Sequence, residues 1–343
     1  MKDFIKKKTS VCISEYNEML CSLHVLQRPE HHAYRLEWSR EVQRNLSPDF
    51  LKQLQDFGGL TNEWLSLLDF RLNDGGKHTI EEWIGSLNRL PDAEFIVLIF
   101  NQEYTLGQVI LWLQGRNEQE WKQLLSERKR EALLHPARER KRITDFLLAY
   151  VELVFKKEWY EIRPWLVRAE RDFYDQLSQA PLKVMEQLHP RLFFKQDAVY
   201  AQKAKLYRWP YQGLKRIDIR PSTFVHPHLL LVESDGVLSL PLAVEVPGVS
   251  KNEEVPIDLQ RMFKALSDST RLKIVRSLFH QPHCTQQLSH IHGISEAAVS
   301  KHLKQLMETK FVTSERRGNY MFYKLESSEM EMVIVYLRNF LEQ

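Results

Sequence analysis

The sequence has few cysteines and no long apolar run, and each absence excludes a class of protein. Its 343 residues include three cysteines, Cys12, Cys21 and Cys284, and no CxxC pair. This scarcity argues against a disulfide scaffold or a thiolate zinc site and is typical of a reducing cytoplasm. No run of about 18 apolar residues occurs, and the lysine-containing start lacks the apolar segment of a signal peptide. We therefore expect a cytoplasmic protein that does not bind a membrane.

Motifs that mark common enzyme classes are also missing. The sequence contains no P-loop, GxSxG, HExxH or GxGxxG pattern. Carboxylates are abundant, but no paired arrangement can be located from their spacing. We therefore predict that the chain is not an enzyme and uses no cofactor.

Positive charge is present in local excess near the carboxyl terminus. The net charge of the chain is +3. Residues 256–343 contain 12 Lys and Arg and 9 Asp and Glu, so basic and acidic residues are equal in number in residues 1–255. Between Thr270 and Leu325 nine basic residues stand against three acidic ones. Such an excess favours a polyanionic partner, although a solvated basic face produces the same count.

A short polar segment divides the chain into two parts. Residues 246–258, VPGVSKNEEVPID, mix proline, glycine, serine and charge with little periodicity, as linkers do. We predict one domain over residues 1–250 and a second over residues 257–343.

The first domain is expected to be mostly helical and to end in a short antiparallel sheet. Ser14 and Thr79 precede amphipathic stretches and are expected helix caps. The long helical pattern around Pro164 is expected to be interrupted there, because proline lacks an N–H and clashes with the preceding turn. After about Asp197 apolar residues alternate, and Ser234-Asp235-Gly236 predicts the turn of a hairpin.

The second domain contains the most specific pattern, a series of helices joined by caps and turns. Ser267 or Asp268, then Thr285 and Ser295, are expected caps. Gly293 is expected to form the turn before Ser295, because glycine tolerates a positive φ. The residues expected on the buried helix faces are Leu272, Val275, Leu278, Phe279, Leu288, Ile291, Val299, Leu303, Leu306 and Met307. A short helix, a glycine turn and a longer helix make a helix-turn-helix.

A two-stranded hairpin is predicted directly after the last of these helices. Residues 311–325, FVTSERRGNYMFYKL, contain the turn composition Arg317-Gly318-Asn319 between two strand-like runs. A hairpin with arginines near its tip, placed after a helix-turn-helix, is a wing. The predicted fold class is therefore mainly α with a small β component, a winged helix-turn-helix preceded by a larger helical domain.

The outward side of the longer helix is suited to the major groove of B-DNA. The groove admits a helix whose leading residues are small or able to hydrogen-bond base edges, while nearby lysines and arginines contact phosphates. Glu296 and His302 also have structural interpretations, at a helix N-terminus and in packing. The residues predicted to contact DNA are Thr285, Gln286, Ser295, Glu296, Ala297, Ser300, Lys301, His302, Lys304, Arg316, Arg317, Asn319 and Tyr323.

Residues 257–343 resemble the arsenical-resistance-repressor (ArsR) family of winged-helix transcriptional regulators. The similar segments are FKALSDSTRLKIVRSL, CTQQLSHIHGISEAAVSKHLKQLMETKFV and ERRGNYMFYKL, with Ser269 where the family usually has proline. The first domain is similar, more loosely, to one found upstream of such domains in bacterial regulators. Its similar segments are CSLHVLQRPEHHAYRLEW and PSTFVHPHLLLVE.

The resemblance implies a bacterial transcriptional regulator that binds an inverted repeat of double-stranded DNA as a homodimer. Members of the family are usually repressors, so repression is the expected direction of regulation. Pairing would use the first and last helices of the domain. The last helix would present Met332, Val335, Tyr336 and Phe340. Metal-sensing members place two cysteines one residue apart before the turn, whereas here Cys284 is followed at the second position by Gln286. Because one thiolate does not hold a soft metal, no site of that type is expected.

Histidines of the first domain offer an alternative metal site. His31-His32 with Glu30 and Glu37 form one candidate group, and the pair His226 and His228 forms another, with both imidazoles on one face if the segment is a strand. Pro227 indicates a strand edge and PEHH a helix start, so we expect no metal at either group.

The eight tryptophans, all in residues 1–250, are expected mostly in the core. Some of them could line an apolar pocket for a small-molecule effector, with Arg or Tyr as polar anchors. On this hypothesis the first domain senses an effector or builds a dimer. The alternative is a small-molecule enzyme with a DNA-binding appendage, which a deep polar cleft with close carboxylates would indicate.

Overall fold

The computed structural model describes residues 2–70, 78–203, 205–246, 255, 257–318 and 320–327, with 330, 333, 334, 337 and 340. It divides into two compact units, Met1–His189 with Pro210–Ser250, and Pro190–Trp209 with Lys251–Gln343. Helices predominate over small sheets, so the predicted fold class is confirmed. Within the described ranges, no helix is both long and apolar enough to cross a membrane. Most of the predicted linker, 247–254 and 256, lies outside the described residues.

Twelve helices are described in the first unit. They are α1 (Lys2–Lys8), α2 (Glu15–Gln27), α3 (Leu36–Asn45), α4 (Pro48–Leu60), α5 (Ile80–Asn88), α6 (Asp92–Ile99), α7 (Leu106–Leu113), α8 (Glu118–Leu124), α9 (Glu127–Leu134), α10 (Pro136–Tyr150), α11 (Lys156–Gln179) and α12 (Pro181–Glu186). Short 3₁₀ turns at Pro29–His31, Ala33–Arg35 and Leu65–Asp69 connect some of them.

Both helix caps predicted in the first unit are confirmed. The Ser14 side chain accepts a hydrogen bond from the backbone N–H of Asn17 at the start of α2. Thr79 and Glu82 form a capping box at the start of α5, each side chain accepting from the other's backbone N–H. These bonds satisfy N–H groups that have no partner inside the helix.

The predicted interruption of the long helix at Pro164 is wrong. Pro164 lies inside α11, and the irregular stretch is a π-helical segment, Val151–Phe155, that joins α10 to α11. Proline removes one hydrogen bond to the carbonyl four residues earlier, that of Tyr160. Tyr160 is 83% exposed and Pro164 is exposed as well, so the missing bond lies on the solvent-exposed side of the helix. Residues 118–134 form two helices, α8 and α9, and Ser126 caps the second.

The strands up to residue 243 form two sheets. They are β1 (Thr9–Val11), β2 (Leu192–Phe194), β3 (Ala198–Gln202), β4 (Leu206–Pro210), β5 (Arg216–Ser222), β6 (Val232–Ser234) and β7 (Val237–Ala243). One sheet has the order β1-β5-β7-β6, and the other has the order β2-β3-β4.

The predicted hairpin is confirmed, but the sheet that it joins is mixed. Strands β6 and β7 are antiparallel about Asp235 and Gly236, both with positive φ, of 51° and 79°. Strand β5 runs parallel to both β1 and β7, so the prediction of a purely antiparallel sheet is wrong. Parallel pairing joins segments far apart in sequence, as β1 and β5 are, and local alternation cannot reveal it.

The core of the first unit is rich in aromatic rings. Trp64 stacks on Phe146 with ring centroids 5.3 Å apart, and Trp83 stacks on Tyr16 at 5.4 Å. The tryptophans that are buried or packed against this core are Trp38, Trp64, Trp83, Trp112, Trp121 and Trp159. The prediction that most tryptophans are core residues is confirmed, while Trp165 lines a cavity.

The C-terminal segment of the second unit contains, from residue 257 to residue 325, four helices and a three-stranded sheet. They are α13 (Ile257–Leu266), α14 (Ser269–His280), β8 (His283–Cys284), α15 (Thr285–His292), α16 (Glu296–Glu308), β9 (Val312–Arg317) and β10 (Tyr320–Leu325). The sheet order is β8-β10-β9, with antiparallel pairs throughout. The described residues after 326 are helical, but Met332, Val335 and Tyr336 of the predicted last helix lie outside the described residues.

Several residues predicted on the buried faces of these helices lie on the surface. Leu272 is 47% exposed, Phe279 66% and Ile291 50%, and Met307 is also exposed. The predicted Val275, Leu278, Leu288, Val299, Leu303 and Leu306 are buried. In α14 the buried face is turned by about one position: it consists of Arg271, Ile274, Val275 and Leu278, so Leu272 and Phe279 lie outside it.

Candidate nucleic-acid interface

Helices α15 and α16 are joined by the predicted glycine turn. Gly293 has φ +64° and ψ 32°, the left-handed conformation that ends a helix, and its N–H donates to the Ser289 carbonyl. The Ser289 hydroxyl in turn donates to the carbonyl of Ile294 at 2.6 Å. The turn therefore fixes the direction in which α16 leaves α15.

Helix α16 has one buried face and one exposed face. Ser295 caps it, its hydroxyl oxygen accepting from the Ala298 N–H at 3.2 Å. Val299, Leu303 and Leu306 are fully buried in the core of this segment, which includes residues of α13, α14 and α15. The side chains that remain exposed on the outward face are Glu296, Ala297, Ser300, Lys301 and Lys304. The structure therefore brings together on one surface the groups predicted to enter a DNA groove.

His302 lies at the flank of α16 that faces the start of α14. Its Nδ1 is 3.9 Å from Oδ1 of Asp268, and the side chain is half-buried. Asp268 caps α14, and the hydrogen bond from the Arg271 N–H lowers the pKa of its carboxyl group. Of the two residues predicted to cap α14, Ser267 and Asp268, the cap is therefore Asp268. His302, which lies beside it, is less exposed than Lys301.

The wing is formed by β9 and β10. Arg317 pairs with Tyr320 across the tip, where Gly318 has φ +63°. Nε of Arg316 donates to the Gly318 carbonyl at 3.3 Å, and Nη2 of Arg317 lies 2.9 Å from Oε2 of Glu315. Both arginines are exposed near the tip, while Asn319 lies outside the described residues.

Two further predicted DNA contacts, Thr285 and Tyr323, are half-buried. Thr285 is the first residue of α15 and not its cap; the cap is Cys284, whose N–H donates to Oε1 of Gln287. Gln286 is exposed beside it. Tyr323 is half-buried and packs against the hydrophobic core from β10.

Sequence reasoning missed the residue that orients α13 against α14. Arg271 is 9% exposed, and its guanidinium donates to the carbonyls of Lys264 and Ala265 and to Oε1 of Gln305. Those carbonyls belong to the last turn of α13, where they have no partner within the helix. An arginine three residues after a capping aspartate was the available signal.

The first unit brings together histidines from both predicted metal groups. One ring nitrogen each of His24, His32 and His228 lies within 4.8 Å of the others. Of the predicted groups, His32 and His228 therefore meet, and His24, not foreseen, joins them. The carboxylate of Glu37 instead pairs with Arg40.

The fold and the exposed face of α16 define a winged helix-turn-helix protein, a DNA-binding transcriptional regulator. Residues 268–314 match the sequence profile described as "Bacterial regulatory protein, arsR family", and residues 2–242 match a family described as of unknown function, DUF5937. The chain therefore belongs to the DUF5937 family and carries an arsR-family regulatory domain after it.

Several bacterial regulatory proteins are similar to about a quarter of the chain. Transcriptional repressor SdpR of Bacillus subtilis (strain 168) is 27% identical over 85 residues, 25% of this chain and 94% of that protein. The arsenical resistance operon repressor of the same organism is 32% identical over 72 residues, 21% of this chain and 69% of that protein. An ArsR-like transcriptional regulator from Rhodococcus sp. RHA1, of solved structure, is 28% identical with a TM-score of 0.23, and the match covers 24% of this chain and 78% of that one.

Proposed function

We propose that the protein is a bacterial transcriptional repressor that binds an inverted-repeat operator as a homodimer through α16 and the wing. Because a repressor acts on the chromosome, the proposal locates the protein in the cytoplasm. The observation that carries the proposal is the exposed face of α16. Ser300, Lys301 and Lys304 are exposed although the opposite face of the same helix is fully buried. The names of similar proteins, two of which are repressors, support the direction of regulation.

The chemistry of the exposed face matches the two kinds of contact that a DNA-binding helix makes. Ala297 and Ser300 are small, so the helix backbone can approach the floor of the major groove, and the serine hydroxyl can hydrogen-bond a base edge. Lys301 and Lys304 supply charge for phosphates on either side. Arg316 and Arg317 at the wing tip would extend the phosphate contacts beyond the groove.

Exposed apolar side chains support dimer formation. Phe263 of α13 is 44% exposed and Ile334, in the last helical segment, is 66% exposed. Apolar side chains of this size on the first and last helices of the segment suit a buried two-fold interface. A two-fold dimer presents two copies of α16, which would read half-sites about one helical turn apart.

DNA selection followed by titration tests the proposal. Genomic fragments bound by the protein are sequenced, and the enriched duplex is titrated by fluorescence anisotropy at several salt concentrations. We expect one short inverted repeat to be enriched. The Lys301→Ala/Lys304→Ala variant should bind this duplex and unrelated duplexes more weakly and reduce the slope of log K against log salt by about 1–2 units.

The matched control is Lys52→Ala/Lys183→Ala, which removes two exposed lysines from the first unit. Its affinity and salt slope should equal those of the unchanged protein. Unaltered DNA affinity of Lys301→Ala/Lys304→Ala would instead show that α16 does not contact DNA. Enrichment of no duplex would contradict the proposed function as a whole.

The proposal assigns effector sensing to the first unit. A cavity of about 470 Å³ lies between α11, α12 and the segment after β7, and it is lined in part by Trp165, Phe173, Leu188 and Arg168. Its volume falls in the range of small-molecule sites, which combine apolar walls with a few polar groups. An apolar molecule with a polar end that pairs with Arg168 fits this lining. Binding of such a molecule, without catalysis, would alter operator affinity.

Thermal-shift screening against cell metabolites tests the effector hypothesis. A ligand of the cavity should raise the melting temperature of the protein and change its operator affinity, and Trp165→Ala should abolish both effects. Trp209→Ala is the control, because Trp209 belongs to the second unit. A ligand whose effects persist in Trp165→Ala would not act through this cavity.

A further inference from the structure

Three imidazole rings of the first unit face one another in a nearly equilateral triangle. The ring centroids of His24 and His32 are 5.1 Å apart, those of His24 and His228 5.2 Å, and those of His32 and His228 4.7 Å. The ring planes meet at steep angles of 86°, 69° and 62°, so the rings meet edge to face and are not stacked. One nitrogen of each ring lies within 4.8 Å of the other two.

The hydrogen bonds of two rings show which nitrogen is left for a metal ion. Nδ1 of His24 is 2.9 Å from the carbonyl oxygen of Glu63, and Nδ1 of His32 is 2.9 Å from the carbonyl oxygen of His226. Because a carbonyl oxygen only accepts, each Nδ1 must carry the proton, and each Nε2 then has a free lone pair. This is the arrangement found around metal-binding histidines, whose second nitrogen donates to a backbone carbonyl.

The two Nε2 atoms are buried without a hydrogen-bond partner among the described residues. His24 is 3% exposed and His32 is 1% exposed. Burial lowers the pKa of both imidazoles, that of His32 well below its usual value. A buried lone pair without a donor is unfavourable unless a ligand satisfies it, and the neutral ring is the form that binds metal.

The distances suit one metal ion after a small adjustment. Ligand nitrogens at about 2.0–2.1 Å from a tetrahedral zinc are about 3.3 Å apart. The three nitrogens lie at most 4.8 Å apart, so the triangle contracts to that size when each nitrogen moves by no more than about 1 Å, within reach of side-chain rotation. His228 is half-buried, so it is the least buried of the three rings.

We propose that His24, His32 and His228 bind one Zn²⁺ ion in the first unit, with a fourth position open to water or an anionic group. Three imidazoles with an open position are a donor set that zinc takes readily, while magnesium and calcium prefer oxygen. From the sequence alone we expected no metal at either histidine group, because Pro227 indicates a strand edge and PEHH a helix start, and His24 was not among the candidates. The site does not depend on the proposed DNA binding.

The ion would connect parts of the chain that are remote in sequence. His24 lies on α2, His32 follows the Pro29–His31 turn, and His228 lies in the segment between β5 and β6. Zinc binding should therefore raise the melting temperature of the protein, because the ion binds the folded state and not the separated ligands.

Calorimetric titration of Zn²⁺ into the chelator-treated full chain tests the proposal. We expect one tight site per chain and a higher melting temperature in zinc. The His24→Gln/His32→Gln/His228→Gln variant should lose at least about 100-fold in zinc affinity, since changes outside the first coordination shell alone cost 10–100-fold. The control is His135→Gln/His280→Gln/His290→Gln, which removes three exposed histidines and should keep the tight site.

A cobalt spectrum provides a second test that does not rely on removal of buried rings. In His228→Cys the half-buried ligand is exchanged for a thiolate donor, and Co²⁺ added to this variant should give a thiolate-to-cobalt charge-transfer band. Cys12, Cys21 and Cys284 are buried elsewhere, so the unchanged protein should lack the band. Absence of the band in the variant, or a tight zinc site that survives the triple glutamine substitution, would overturn the proposal.

Discussion

At the scale of single residues, burial in the C-terminal segment is decided by hydrogen bonds as much as by hydrophobicity. Arg271 is buried while its neighbour Leu272 is half-exposed, the reverse of what side-chain hydrophobicity predicts. The arginine is retained inside because its planar fork satisfies two carbonyls at the end of α13 and one side-chain oxygen of α16. Leucine in that position would remove the side-chain donor of the Ala265 carbonyl and of Gln305, and would leave the Lys264 carbonyl only its bond from the Ser267 hydroxyl.

The Arg271→Met substitution should therefore destabilise the second unit. Methionine fills a similar volume but donates nothing, so we expect a loss of about 2–4 kcal/mol in the free energy of unfolding. Chemical denaturation followed by circular dichroism measures this loss. Leu272→Ala, at the half-exposed neighbour, is the control and should cost less than about 1 kcal/mol. Equal losses in the two variants would show that the guanidinium contacts do not stabilise the unit.

The buried His32 makes a separate prediction about pH. Its folded-state pKa is lowered by burial, whereas in the unfolded chain the ring titrates near 6.5. As pH falls through 6.5 the unfolded state takes up a proton that the folded state does not, so stability falls with pH. Between pH 7.5 and 5.5 we expect His32 to account for a loss of about 1 kcal/mol. Denaturation in metal-free buffer should show a shallower pH dependence for His32→Gln, and an identical slope would contradict the assignment.

At the scale of helices and strands, local signals predict well and long-range pairing does not. Caps at Ser14, Thr79 and Ser295, the Gly293 turn and the hairpin at Asp235-Gly236 each depend on a few adjacent residues, and the structure has all of them. The parallel pairing of β5 depends on residues of β1 that lie about 200 positions earlier. The histidine cluster likewise joins three separate segments.

In the candidate DNA interface, too, features set by adjacent residues could be predicted and features set by contacts between separate elements could not. The outward residues of α16 could be chosen from the sequence because Val299, Leu303 and Leu306 fix the buried face. His302 is half-buried beside Asp268, the cap of α14, and Tyr323 is half-buried against the hydrophobic core. These contacts join separate elements, so the periodicity of one helix or strand did not reveal them.

The Gly293 turn gives a prediction for an element as a whole. Its φ of +64° is costly for any residue with a Cβ, so Gly293→Ala should destabilise the second unit by about 1–2 kcal/mol and weaken DNA binding, although the space around it is open. Gly59→Ala is the matched control, because Gly59 lies within α4 with open space and should gain up to about 1 kcal/mol. Thermal and chemical unfolding measure both. A neutral Gly293→Ala would mean that the left-handed turn is not needed.

At the scale of the whole molecule, charge and function are divided between the two parts of the sequence. Residues 1–255 are balanced, and the net +3 comes entirely from residues 256–343. Long-range attraction to DNA is therefore a property of the C-terminal part, while the first unit contributes volume, a cavity and buried histidines.

A homodimer makes a prediction about the operator that a monomer does not. With two copies of α16 related by a two-fold axis, both half-sites must lie on one face of the duplex. Randomising one half-site should weaken binding by about 100-fold or more, since each mismatched base pair costs about 1–3 kcal/mol. Insertion of about five base pairs between the half-sites should weaken binding as much, because it turns the half-sites to opposite faces of the duplex.

Sedimentation of the complex should give two chains per duplex. Substitutions outside the half-sites, in a duplex of equal length, should leave affinity unchanged. Full affinity for a single half-site, with one chain per duplex, would mean that the winged helix acts alone.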